Sequence, residues 1–121
     1  MKPEFILRLF IFFILKMEKF KKFIGKPFKL ETIKNSDFLK SCSLACQSIP
    51  EKIEEFEELE FLINDIVMCV AVLEGKIKRI MLVKVNPENP DDCSPLTKEE
   101  LESFLTKNEE KLLKFFENIT E

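Results

Sequence analysis

Eight apolar residues stand in a row from Ile66 to Leu73, bounded by Asn64-Asp65 on one side and Glu74-Gly75-Lys76 on the other. A run of that length, rich in β-branched side chains, predicts a central strand covered on both faces. Both flanking clusters read as tight turns, because Asn, Asp and Gly tolerate positive φ. Ile77 to Val85 then alternates around Lys78, Arg79 and Lys84, as a partner strand does. Residues 66–85 are therefore the central hairpin of the expected sheet.

Around the hairpin the period changes. Phe28-Lys29-Leu30-Glu31-Thr32-Ile33 begins in polar–apolar alternation and predicts a strand. Phe38, Leu39, Cys42, Ala45, Cys46 and Ile49 keep helical spacing, which predicts a helix capped by Asn35 or Ser36 and ending near Ser48, ahead of Pro50. Pro50 followed by acids predicts a second helix over 51–58. Leu59 to Ile63 fits either that helix's last turn or a short strand. Residues 86–95, with three prolines, read as a loop. Thr97 with Glu100 forms a capping box for a helix through Leu101, Phe104 and Leu105. A last helix is expected from about Asn108, placing Leu112, Leu113, Phe116 and Ile119 inward. Segregated helices and strands of this kind predict an α+β fold, with a small antiparallel sheet of three to four strands covered by helices.

The N-terminal segment obeys a different pattern. Residues 5–15 hold ten apolar side chains interrupted only by Arg8. As a helix these eleven residues rise roughly 17 Å, short of the roughly 30 Å hydrocarbon core, and no small-residue cleavage site follows them. Farther on, Phe13, Met17, Phe20 and Ile24 share one helical face, with Lys16, Lys19, Lys21 and Lys22 elsewhere on the wheel. The chain thus divides into an apolar and basic helix over 1–24 and a single α+β domain over 25–121. Three accounts fit the first part. It packs on its own domain or on a twin subunit; it anchors the protein at a membrane surface; or Met17 is the natural start and residues 1–16 lie outside the native protein.

Charge sharpens this division. Residues 1–30 carry eight Lys/Arg against two Glu, +6; the remaining 91 carry 11 against 20, −9, for a net −3. Six Glu and one Lys between 51 and 60 make an acidic stretch. The overall balance argues against nucleic acid as the partner, and basic residues interleaved with Phe from Lys16 to Lys29 are already accounted for by a helix face. Lysine outnumbers arginine 17 to 2, a bias shared by hyperthermophile proteins and AT-rich genomes.

Composition removes most chemistries. The 121 residues contain no His, Trp or Tyr and only two Gly, so triads that use His, His-ligated metals and glycine-rich phosphate loops are excluded. Glu74 and Lys76 flank a turn glycine, so with Asp65 they do not make an acid-and-lysine nuclease site. Four cysteines remain. Cys42 and Cys46, four apart on the expected helix, share a face and with Cys69 and Cys93 would complete a soft-metal or redox site. The plainer account is core packing for Cys42, Cys46 and Cys69, or a disulfide joining Cys93 to that helix. Cys93, in a polar loop just before a helix, is the accessible thiol, with Asp91 and Asp92 opposing its ionisation.

These patterns point to a cytoplasmic, non-catalytic module for protein–protein interaction or self-association, expected as a homodimer, with no catalytic residue and no cofactor. Its contact residues are expected at Lys16, Lys19, Phe20, Lys21, Lys22 and Phe23. A thiol-based metal-binding or redox protein and a peripheral membrane protein anchored through 1–24 are the alternatives.

Overall fold

The computed structural model describes residues 17–46, 48–86 and 88–120. A 3-10 helix, Glu18–Phe23, is followed by two short helices, α1 (Leu30–Ile33) and α2 (Ser36–Ser41). Five strands come next: β1 (Ala45–Cys46), β2 (Phe56–Ile63), β3 (Ile66–Leu73), β4 (Lys76–Asn86) and β5 (Asn89–Pro95). The chain ends in one long helix, α3 (Lys98–Ile119). All neighbouring strands are antiparallel and lie in chain order, a meander with β3 at its centre. The fold is α+β, and its sheet has five strands where three to four were expected.

The central hairpin follows the sequence. β3 pairs with β4 from Ile66↔Lys84 to Leu73↔Lys76, with an irregularity at Ala71/Val72. Glu74 and Gly75 close the turn at φ 52° and 80°, a pair of positive values that matches the twist of the two strands. Asn64, at φ 57°, serves the turn between β2 and β3.

One face of this sheet carries the core. Leu59, Phe61 and Ile63 on β2, Met68, Val70 and Val72 on β3, and Ile77, Ile80 and Leu82 on β4 are all buried there. Across them lies α3, whose Leu101, Phe104, Leu105, Leu112, Phe115, Phe116 and Ile119 form a single buried stripe. Phe115 meets Phe61 edge-on at 5.0 Å between centroids, and Phe116 stacks on Phe23 at 5.3 Å. Met17, Phe20 and Phe23 belong to this same core. The expected helical face of the N-terminal segment is thus altered: the 3-10 winding turns Phe23 inward and leaves Ile24 exposed. Residues 17–24 are part of the domain's packing and not a separate unit; the expectations for residues 1–16 lie outside the described residues.

Five local expectations fail, each for a tertiary or capping reason. The strand expected at 28–33 is reduced to isolated bridges, Pro27 to Lys76 and Phe28 to Thr120, after which Leu30–Ile33 makes one helical turn that buries Ile33. The helix expected to reach Ser48 stops at Ser41. Ser43 takes φ 59°, its N–H bonds to Lys40 O, and Leu44 N–H bonds to Leu39 O. Those two bonds and the buried Leu39–Leu44 pair are a Schellman stop. Residues 56–58 are strand and not helix, because β2 finds eight register partners on β3 and buries Leu59, Phe61 and Ile63 in alternation. The same pairing resolves 59–63 as strand. The proline-bearing stretch 89–95 is a strand at the sheet's edge, where one side needs no ladder partners. The two C-terminal helices are one, since Asn108 Nδ2 donates to Phe104 O within the helix and starts nothing new.

Candidate functional site

The second face of the sheet is where the apolar pattern and the structure disagree. β3 is the central strand, yet on its second face only Ala71 is fully enclosed; Val67, Cys69 and Leu73, pointing the same way, are half-buried. Strand alternation puts Phe56, Leu62, Met81, Val83 and Val85 on that same open face. Phe56 is 51% exposed, Leu62 39% and Met81 38%, three of the four large apolar side chains that the described residues leave exposed. The fourth, Ile24, sits beside Lys78 and Arg79 at the border of this face. All the described helices contribute their buried residues to the core on the other side.

Register arranges the open face in rows across β2, β3 and β4. They are Phe56–Leu73–Lys76, Glu58–Ala71–Arg79, Glu60–Cys69–Met81 and Leu62–Val67–Val83. Charge therefore divides by strand, acid on β2 and base on β4. In the second row Arg79 Nη2 approaches Glu58 Oε2 to 3.7 Å. Ala71 lies between them in register and is only 2% exposed on a face that is otherwise open. A shallow groove of about 480 Å³ continues the face toward β1, lined by Ala45, Ser48, Pro50, Leu62, Val67 and Val85.

Cys69 stands in the third row. Its Sγ and a carboxylate oxygen from each of Glu58 and Glu60 lie within 4.8 Å of one another, the one group of three potential metal ligands among the described residues. The chemistry of the group is not that of a prepared thiolate site. Burial raises the Cys69 pKa, Glu60, Glu58 and Cys93 raise it further, and Arg79 only partly offsets them. Glu58 is already committed to Arg79.

The four cysteines do not converge. Cys42 is buried in the core at the end of α2, and Cys46, on β1 opposite Phe61, packs against the core from the other side of the sheet from Cys69. Because the helix ends at Ser41, the i, i+4 geometry expected of Cys42 and Cys46 is absent. Burial also raises the Cys46 pKa; a backbone hydrogen bond at Ser48 opposes this, and Glu60 adds to the rise. Cys93 is exposed on β5, and all four are free thiols.

The expected contact residues are distributed differently. Phe20 and Phe23 are core residues, 2% and 1% exposed, so neither ring is available to a partner, a base or a membrane. Lys19 Nζ is 2.8 Å from Glu109 Oε1 and Lys22 Nζ is 3.9 Å from Glu117 Oε1, so part of the basic charge is matched by acids of α3. Lys21 is exposed beside Met17, Phe20 and Arg79, and Lys16 lies outside the described residues. The missed surface had a sequence signal: Leu59, Phe61 and Ile63 alternate with Glu58, Glu60 and Leu62, a period of two hidden by the acidic count. Among the described residues no helix is long and apolar enough to cross a membrane. Comparison with protein-family models, with curated proteins and with solved structures finds no match to this chain.

Proposed function

We propose that this protein is a non-catalytic binding module whose contact surface is the open face of the sheet. One observation carries the reading. β3 has the composition of a strand buried on both faces, but the described residues enclose only one of them. Exposed apolar side chains gathered on one face and rimmed by charge mark interaction sites, whereas scattered ones do not. Phe56 and Leu62 at the two ends of β2 and Met81 on β4 share that face with half-buried Val67 and Val83, and the Glu58–Arg79 pair crosses it between Phe56 and Leu62. The contact lies away from residues 19–23, whose aromatic rings serve the core.

Hydroxyl-radical footprinting tests the reading. Met81 and Phe56 should be oxidised readily in the dilute purified chain and be protected several-fold in concentrated extract of the cells that make it. Equal oxidation in both settings overturns it.

A further inference from the structure

A self-complementary surface has an ordinary partner, and the rows of the open face have that property. Consider two copies packed sheet against sheet. A two-fold axis lying between them along the strand direction sets β2 of each over β4 of the other, with every row facing itself. Glu58 then meets the partner's Arg79, Phe56 meets the partner's Lys76, and Leu62 meets the partner's Val83. An axis across the strands instead sets β2 over β2 in reverse, bringing Glu58 against the partner's Glu60. Like charges opposed at close range are unfavourable, and opposite charges or a cation over an aromatic ring are favourable. Charge thus selects the first arrangement.

Resting on the reading of this face as a binding surface, we propose that its partner is a second copy of this chain, bound about a two-fold axis along β3. Each Glu58 and Arg79, paired within the chain at 3.7 Å, acquires a second partner across the interface. Aligned sheets pack at a small angle set by their twist, about 10 Å apart. The three strands β2, β3 and β4, about 4.8 Å apart, and eight residues rising about 3.4 Å each give a patch of roughly 400 Å² per copy. The pair then buries roughly 800 Å², the low end of weak and reversible contacts. Cys69, on the central strand, sits at the axis and faces its own symmetry mate.

Sedimentation equilibrium of the full chain from low micromolar to near-millimolar concentration should show a monomer–dimer equilibrium. R79E makes the second row wholly acidic and E58K makes it wholly basic, so each variant alone should lose at least about tenfold in dimer affinity. Mixed one to one, they should recover association, because each Glu then faces a Lys or Arg on the other chain. Repair within a chain cannot produce that result. In a Cys93→Ser background a short bis-maleimide should join Cys69 to Cys69, since the roughly 10 Å sheet spacing exceeds the reach of a direct disulfide.

A wild-type monomer throughout, or variants that dimerise as wild type does, overturns the proposal. If that monomer's Met81 is nevertheless protected in cell extract, the binding reading stands and the partner is a different chain. If Met81 is protected in the isolated monomer, the face is covered by the chain's own residues 1–16 and both readings fall.

Discussion

Arg79 reaches toward Glu58 above Ala71: the guanidinium and carboxylate are 3.7 Å apart, and the alanine between them in register is 2% exposed on the open side of the sheet. The pair lies on the surface, with 54% and 41% of the side chains exposed. Exposed ion pairs of this kind contribute about 0–1 kcal/mol. Arg79→Ala should therefore shift the urea midpoint of the isolated chain very little while weakening any association through this face. A loss of several kcal/mol would show that the pair is a structural element and not a feature of a contact surface.

The aromatic cluster should behave oppositely. Phe115 is fully buried and lies within 6.0 Å, centroid to centroid, of Phe38, Phe61 and Phe116. Phe115→Ala should cost about 3–5 kcal/mol through lost burial and the cavity left behind. Phe56→Ser, at an exposed position, should change stability by less than about 0.5 kcal/mol. Denaturant unfolding of the two variants side by side checks the contrast.

Thiol reactivity should rank with position. Cys93 should react with a disulfide reagent in the native state at neutral pH. Cys46 and Cys69, whose pKa values are raised by burial, should react more slowly and gain rate as the solution becomes more alkaline. Cys42 should react only on unfolding. Rapid native labelling of Cys42, or a disulfide between any two of them, would contradict the placement.

Glu100 links the helix cap to the sheet. It accepts from Thr97 N–H at 3.0 Å and from Lys84 Nζ at 2.7 Å. Its carboxyl pKa is lowered, chiefly by the hydrogen bond from Lys84, and the Lys84 ammonium pKa is raised by the same bond. A lowered carboxyl pKa stabilises the fold above the unfolded value and loses that contribution as pH falls through the folded one. A raised lysine value contributes below the unfolded pKa and is lost as pH rises through the folded one. Glu100→Gln should therefore melt earlier than wild type near neutrality, with the gap closing below about pH 4 and also narrowing above about pH 10.5. Thr97→Ala should cost about 1 kcal/mol in chemical denaturation near neutrality and less at acid pH, because the Thr97 side-chain hydrogen bond also helps to lower the Glu100 pKa.

Ser43 is a site for stabilisation. It holds φ 59° at the end of α2, where an L residue other than Gly is strained. Ser43→Gly should raise stability by about 0.5–1 kcal/mol, less a small loss from the exposed Lys111–Ser43 hydrogen bond. A lower urea midpoint would show that this hydrogen bond outweighs the strain.

The parts legible in the sequence were those in which neighbours in the chain are also neighbours in space. The 66–85 hairpin needs only its apolar runs and the Glu74-Gly75 turn. The start of α3 needs only Thr97 and Glu100, four residues of chain that satisfy one another. Cys42 and Cys46 misled for the converse reason. Their spacing satisfies a helix, but Ser43 and Leu44 close the helix on Leu39 and Lys40 before the second cysteine is reached. The acidic stretch 51–58 carried helix-favouring charges, and the pairing of β2 with β3 outweighed them at Phe56, Glu57 and Glu58.

Alone, the order of residues determined the α+β class, the central strand, and the absence of histidine chemistry and phosphate loops. Those follow from composition and short-range periodicity, whose energies act between residues a few positions apart. Tertiary structure decided which face of the sheet receives α3 and the Phe20–Phe23 turn, and hence which face the described residues leave open. It also decided that Phe20 and Phe23 are interior while Phe56, Leu62 and Met81 are not. The physical reason is that a strand's two faces are equivalent to the chain until a helix distant in sequence covers one of them, and the register with β3 assigns every side chain of β2 and β4 to a side.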